Sequence, residues 1–149
     1  MNWHQYFFSM AELAAEKSKD RSTKVGAVIV GPDNEVRSVG FNGFPRGVND
    51  EIESRHQRPA KYQFTEHAER NAIYNAARVG IPTKGCTMYM KFCPRPCTDC
   101  ARAVIQSGII RVVGRRSKPF PGKGHQWEED LRVSEQMLVE AGIEVLWEE

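Results

Sequence analysis

The sequence has no apolar run approaching the ~20 residues that a membrane-spanning helix needs. Its beginning, Met1-Asn2-Trp3-His4-Gln5, lacks the basic start, apolar stretch and small-residue cleavage site of a secretory signal, which predicts a soluble, cytoplasmic protein. Charge of one sign is not in excess: 21 Lys and Arg stand against 19 Asp and Glu, with no long cationic run, so the balance argues neither for nor against nucleic acid. Internal repeats and low-complexity tracts are missing, which excludes repeat architectures. Cysteine is scarce, with Cys86 standing apart and Cys93, Cys97 and Cys100 crowded into one segment. In a chain without a secretory signal, such crowding points to metal ligands before disulfides. A chain of 149 residues, 40% hydrophobic, buries roughly 70% of its unfolded surface in one core, so a single domain over 1–149 needs no covalent staples.

Apolar positions Trp3, Phe7, Met10, Leu13 and Ala14 recur at three- and four-residue steps, predicting a helix from Trp3 to Ser18. Val25 to Val30 and Val36 to Phe41 flank the turn-forming Gly31-Pro32-Asp33-Asn34, the pattern of a β-hairpin. Asn42 to Thr65 is polar and aperiodic, a long loop or short-helix insert of the kind that is usually functional. A second helix follows from Glu66 to Val79, closed by Gly80, then a strand at Thr87–Met90. A third helix runs from Cys97 to Ser107 and a strand from Ile109 to Val113. Arg115 to His125 reads as a basic loop, Trp127 to Ala141 as a fourth helix and Ile143 to Trp147 as a last strand. The alternation predicts an α/β fold, a three-layer α/β/α sandwich around a mixed five-stranded sheet.

The chemistry-bearing residues are His67-Ala68-Glu69 and Pro96-Cys97-Thr98-Asp99-Cys100, each opening a helix. Cys97 and Cys100 share a helical face and sit where the positive end of the helix dipole favours thiolate. Pro96 sacrifices no helical hydrogen bond at such a start. One imidazole and two thiolates make three protein ligands, the number that leaves a zinc ion an open position for water. Glu69, two residues after the imidazole, reaches that position from the side as a proton carrier.

These two segments, 30 residues apart, resemble the zinc-dependent cytidine and deoxycytidylate deaminase superfamily, whose signature pairs His-x-Glu with Pro-Cys-x-x-Cys. Ser18-Lys19-Asp20 through Lys24-Val25-Gly26-Ala27, Gly40-Phe41-Asn42-Gly43-Phe44-Pro45 and Gln106-Ser107-Gly108-Ile109 look like the corresponding segments of deoxycytidylate (dCMP) deaminases. The likeness runs in order from Ser18 to Val113. The 25-residue spacing from Asn42 to His67 matches dCMP deaminases with their insert; nucleoside and tRNA adenosine deaminases have a shorter one. The resemblance implies a cytidine deaminase-like fold, Zn2+ on His67, Cys97 and Cys100, and Glu69 as the proton shuttle. It implies conversion of dCMP to dUMP and ammonia, feeding thymidylate synthesis. Asn42 would hold the sugar, and Lys24, Arg46, Arg21 and Arg115 are the candidates for the phosphate, which charge-assisted contacts would bind. It further implies a homo-oligomer, hexameric in many relatives, with dCTP and dTTP as regulators.

Two departures stand out. Phe41 replaces the tyrosine usual in the family, and after Val113 the sequence Gly114-Arg115-Arg116-Ser117-Lys118-Pro119-Phe120 leaves the family pattern. Alternative readings are a deaminase of a modified cytosine nucleotide, a pyrimidine nucleoside or a tRNA adenosine, or a non-catalytic zinc-stabilised interaction module. Cys93 is a candidate fourth ligand that would close the site; Cys86 reads as a core residue, His56 and His125 as loop histidines, and Trp3, Phe7 and Phe8 as core or subunit interface.

Overall fold

The structure, a computed structural model, describes residues 1–92, 96–115 and 125–148, the side chains of 125–127 excepted. Cys93, the basic segment 116–124 and the His125 side chain lie outside the described residues. Helix α1 (Trp3–Ala15) opens with a reciprocal cap: Asn2 Oδ1 accepts the Gln5 N–H at 2.8 Å and Gln5 Oε1 accepts the Asn2 N–H at 3.0 Å. It ends three residues before Ser18 because the N–H groups of Lys17 and Ser18 turn back to the carbonyls of Ala14 and Ala15, tightening the last turn.

Strands β1 (Gly26–Val30) and β2 (Val36–Phe41) form the expected hairpin, followed by a 3₁₀ turn at Glu53–His56 and a four-residue helix α2 (Lys61–Phe64). Helix α3 (Ala68–Val79), β3 (Thr87–Met90), α4 (Thr98–Gln106), β4 (Arg111–Arg115), α5 (His125–Glu140) and β5 (Glu144–Glu148) complete the described chain. The sheet order is β2-β1-β3-β4-β5, antiparallel through the first three strands and parallel through the last three, so the sheet is mixed and five-stranded. The parallel pairs are joined through α4 and α5, as parallel pairing requires.

Alternate residues of β1 serve opposite faces. Val28 and Val30 join Phe7, Phe8, Ala11, Tyr89 and Val113 beneath α1, while Ala27 and Ile29 join Ala68, Ala72, Met88, Val104, Val112 and Leu138 beneath α3, α4 and α5. Both faces being covered, β1 is buried throughout, which explains its unbroken apolar run. Phe7 and Phe8 are core, whereas Trp3 is 55% exposed and stacks on Phe7 with ring centroids 5.7 Å apart.

Two strand positions admit no side chain. A Cβ on Gly26 would lie 1.9 Å from the Ala11 carbonyl oxygen, and one on Gly40 would lie 2.3 Å from the Ala72 nitrogen. At these points α1 and α3 press backbone to backbone on the sheet.

Strand β4 starts two residues later than its sequence pattern predicts and runs on to Arg115. Its register beside β5 pairs Arg115 with Glu148, and the Arg115 N–H bonds the Phe92 carbonyl. Arg115 is therefore the end of a strand and not the first residue of a loop. The insert from Asn42 to Thr65 is built around aromatics: Phe44 stacks on His56 at 4.8 Å and on Phe64 at 5.6 Å, with the Arg55 guanidinium 4.6 Å from the Phe64 ring centre. No described helix is long and apolar enough to cross a membrane.

The contact at Gly40 yields a prediction. Gly40→Ala forces α3 off the sheet and should lower stability by roughly 1–3 kcal/mol or more, whereas Gly43→Ala, whose added methyl meets nothing within 4 Å, should stay within about 0.5 kcal/mol of the parent; urea denaturation midpoints check both.

Candidate active site

Helices α3 and α4 begin side by side, and the residue at each start is a ligand in waiting. His67 is the N-cap of α3 and Cys97 the N-cap of α4, both with extended backbone (φ −78°, ψ 152° and φ −61°, ψ 164°), and neither side chain caps its own helix. Their carbonyls already take the first helical bonds, from Asn71 and Ala101, while their side chains are turned toward each other. His67 Nδ1 lies 3.3 Å from Cys97 Sγ and 3.3 Å from Cys100 Sγ.

Tetrahedral zinc with Zn–S near 2.3 Å and Zn–N near 2.0 Å places such S and N atoms ~3.5 Å apart, so the triad fits that ion with little adjustment. Among the described residues, this is the only cluster of three or more His, Cys, Asp or Glu whose ligand atoms converge in this way; His56 belongs to no such group.

Electrostatics support the same donor set. Cys97 is drawn down to about 4 by the hydrogen bond from the Cys100 thiol and, against the effect of burial, by His67. Cys100, donating that bond, is pushed up. The two sulfurs thus hold one proton between them, which a cation would displace. The bond to Cys97 raises His67, with burial opposing it.

Glu69, in the first turn of α3, is 6% exposed and lines the cavity beside the triad. Burial pushes its carboxyl above the ordinary range, against the pull of His67.

The lateral fit of the two helices is tied by charge. Arg70 binds Glu66 at 2.6 Å and Asp99 of α4 at 3.6 Å; Asp99 also pairs with Arg102, and Glu66 accepts the His67 N–H at 3.0 Å.

His67 and Cys97 line a cavity of about 400 Å³, within the range of small-molecule sites. Val25, Met90, Phe92 and Pro96 supply apolar wall, while Arg58, Lys61, Tyr62 and Asp20 supply the polar part. Lys61 pairs with Asp20 at 3.2 Å; Arg58 bonds the Tyr62 hydroxyl at 2.7 Å and, among the described residues, has no carboxylate partner.

Asn42 also lines this cavity, but as a latch: its Oδ1 accepts the Val25 N–H and its Nδ2 donates to the Thr23 carbonyl, each at 2.8 Å, leaving one amide hydrogen for a ligand.

The expected phosphate contacts are placed elsewhere. Arg115 pairs with Glu12 of α1 at 3.0 Å and lies over the Phe8 ring, across the sheet from the triad. Arg46 bonds Asn75 at 2.9 Å, and neither it nor Lys24 is among the residues lining the cavity. Arg21 lines a neighbouring cavity of about 280 Å³ and is clamped by both carboxylate oxygens of Glu53. Among the described residues three cations reach the cavity: Arg70 of α3, already paired with Glu66 and Asp99, and Arg58 and Lys61 from the aperiodic insert, where the clustering of Arg55, Arg58 and Lys61 was the only sequence signal.

Comparison with known proteins is consistent with this geometry. The family described as the cytidine and deoxycytidylate deaminase zinc-binding region matches residues 1–115. An uncharacterized deaminase from the luxG 3' region of Aliivibrio fischeri is 42% identical over 146 residues, covering 97% of this chain and 92% of the relative. Mouse deoxycytidylate deaminase is 38% identical over 118 residues, covering 76% of this chain but only 64% of its own length. The crystal structure of dCMP deaminase from the cyanophage S-TIM5 in complex with dCMP and dUMP superposes with a TM-score of 0.74 at 25% identity, covering 97% of this chain and 95% of that one.

Cys97→Ala should lose bound zinc, because two protein ligands cannot hold it tightly, while Glu69→Gln should keep one zinc per chain and the parental fold; metal analysis after exhaustive dialysis and circular dichroism distinguish them.

Proposed function

The chain belongs to the cytidine and deoxycytidylate deaminase family, and from that premise we propose that it hydrolyses dCMP to dUMP and ammonia, supplying dUMP for thymidylate synthesis. The observation that carries the proposal is the buried Glu69 carboxyl beside the His67, Cys97 and Cys100 cluster at the wall of a nucleotide-sized cavity. The three ligands would hold zinc, which supplies Lewis-acid activation of water.

Glu69 accepts the proton of the water that adds to C4 of the cytosine and delivers a proton to N3. It then takes the proton of the new C4 hydroxyl and passes it to the exocyclic nitrogen, and the C4–N bond breaks with loss of ammonia, leaving the C4 carbonyl of dUMP. Burial raises its carboxyl above the ordinary range, so that it can both take the water's proton and hold it long enough to hand it to a weakly basic ring nitrogen. Val25, Met90 and Phe92 exclude water from the base, while Asn42 orients the sugar through its remaining amide hydrogen and fixes the 23–25 segment beneath it.

The phosphate is assigned to Arg58 and Lys61, of which Arg58 needs to displace no carboxylate.

The same reading takes residues 1–149 as one domain, supported by β5 completing the sheet, and takes the active form as a homo-oligomer, as the resemblance implies. Regulation by dCTP and dTTP is assigned to the second cavity, where Lys17, Lys19 and Arg21 meet Phe41 and Phe44, and which shares Asn42 and Lys61 with the first. An anion there competes with Asp50 for Lys19 and with Glu53 for Arg21. A free nucleotide substrate fits a cytoplasmic location.

Ammonia release should be confined largely to dCMP when deoxycytidine, CMP and a tRNA anticodon stem are assayed in parallel; silence on dCMP by zinc-loaded protein removes the proposal. Glu69→Gln should lower kcat by roughly 10²–10⁴-fold, and Arg58→Ala should raise KM for dCMP while leaving that for deoxycytidine unchanged.

A further inference from the structure

The start of α4 carries both cysteine ligands, yet it lacks a cap of its own. An N-cap side chain normally accepts an N–H of the first turn; Cys97 occupies that position with its sulfur committed to the ligand cluster. The opening of the helix is held instead from 32 residues downstream. Asp130 of α5 accepts the Thr98 N–H through Oδ2 at 3.1 Å and the Thr98 hydroxyl through Oδ1 at 2.8 Å. Thr98 is the residue directly after one ligand and two before the other.

The carboxylate grips it at two points, one on the backbone and one on the side chain, and so fixes both the position of the turn and its rotation about the helix axis. Rotation matters because Cys97 Sγ and Cys100 Sγ must both stay 3.3 Å from His67 Nδ1. Asp130 is itself held in place: Leu131, Ser134 and Leu138, on the inward stripe of α5, are 4%, 0% and 0% exposed. Asp130 also lies beyond residue 115, outside the segment that the family description matches.

We propose that Asp130 is a positioning residue for the metal site: through its two-point bond to Thr98 it presets the Cys97–Cys100 turn in the geometry that zinc requires. The proposal rests on the zinc reading of the triad. Partners that orient metal ligands typically change affinity by roughly 10- to 100-fold when removed, and Asp130→Ala should weaken zinc by that factor in competition with a chromogenic chelator. The cobalt-substituted variant should show shifted visible bands, since cobalt absorption reports the angles of its ligands. Asp130→Asn, which keeps an oxygen for the Thr98 N–H and an amide for its hydroxyl, should return to within about threefold of the parent. Glu129→Gln, one residue away on the exposed side of α5 and paired with Arg132, should leave zinc affinity unchanged.

A helix cap with no bearing on the metal would instead lower the melting temperature of the zinc-free and zinc-bound proteins together, with parental affinity and cobalt bands; Asp130→Ala within about twofold of the parent overturns the proposal. So does an Asp130→Asn as weak as Asp130→Ala, because the bonding geometry survives in it. If Asp130→Ala does not fold, Thr98→Val decides, since it removes only the hydroxyl bond; a loss of about 3- to 10-fold is expected and parental affinity overturns the idea. A parent protein that binds no zinc would fail the underlying reading instead, so the two failures are told apart.

Discussion

Two helices must begin at one point, because one imidazole and two thiols can share an ion only if the backbones that carry them arrive together. His67 and Cys97 each end an extended segment and start a helix, which throws their side chains past the helix end and toward each other. Much of the packing on that side of the sheet follows from this requirement. Gly40 lets α3 settle against β2, Arg70 bridges the first turns of α3 and α4, and Asp130 holds α4 from behind. The positive ends of both helix dipoles also point to one spot, which favours thiolate where the ligands meet.

Local pattern made part of this legible in the sequence. The ligand pairs and the hairpin each depend on a few neighbouring residues, and their sequence patterns match the structure, while α5 begins two residues before Trp127, at His125, where the pattern places a loop. The ends of elements depend on distant partners and were read less well. Arg115 looks like a loop residue until β5 is laid beside β4; it is then a strand end whose side chain pairs with Glu12 and lies over Phe8. Arg58 and Lys61 come from a stretch with neither helical nor strand period, so apart from the clustering of basic residues nothing local marks them as cavity residues. Asn42 was recognised through the resemblance alone; its bonds to Thr23 and Val25 give that position a structural reason as well. The clamp by Asp130 joins residues 32 apart and has no sequence pattern at all.

Charge is distributed around the cavity with some economy. Its floor holds sulfur, imidazole and a buried carboxyl, while its rim holds cations from the insert. Asp20 shows how the rim is kept in order: burial works against its ionised form, but the N–H groups of Thr23 and Ser22, with Lys61, hold its carboxyl below the usual range. The ionised Asp20 thereby fastens the 22–23 backbone to α2, so the insert and the segment under Asn42 form one wall.

At the other border of the sheet, β2 is an outermost strand, and its side away from β1 would present unpaired carbonyls. Asn71 donates to the Phe41 carbonyl and Asn75 to the Val39 carbonyl, both at 2.8 Å, so α3 occupies acceptors that a stray strand would use. Exposed sheet borders are templates for aggregation, and natural proteins protect them by covering them. The helix that begins at a metal ligand therefore also serves as a guard: the side chains that hold α3 to β2 are the ones that keep these carbonyls from a passing strand.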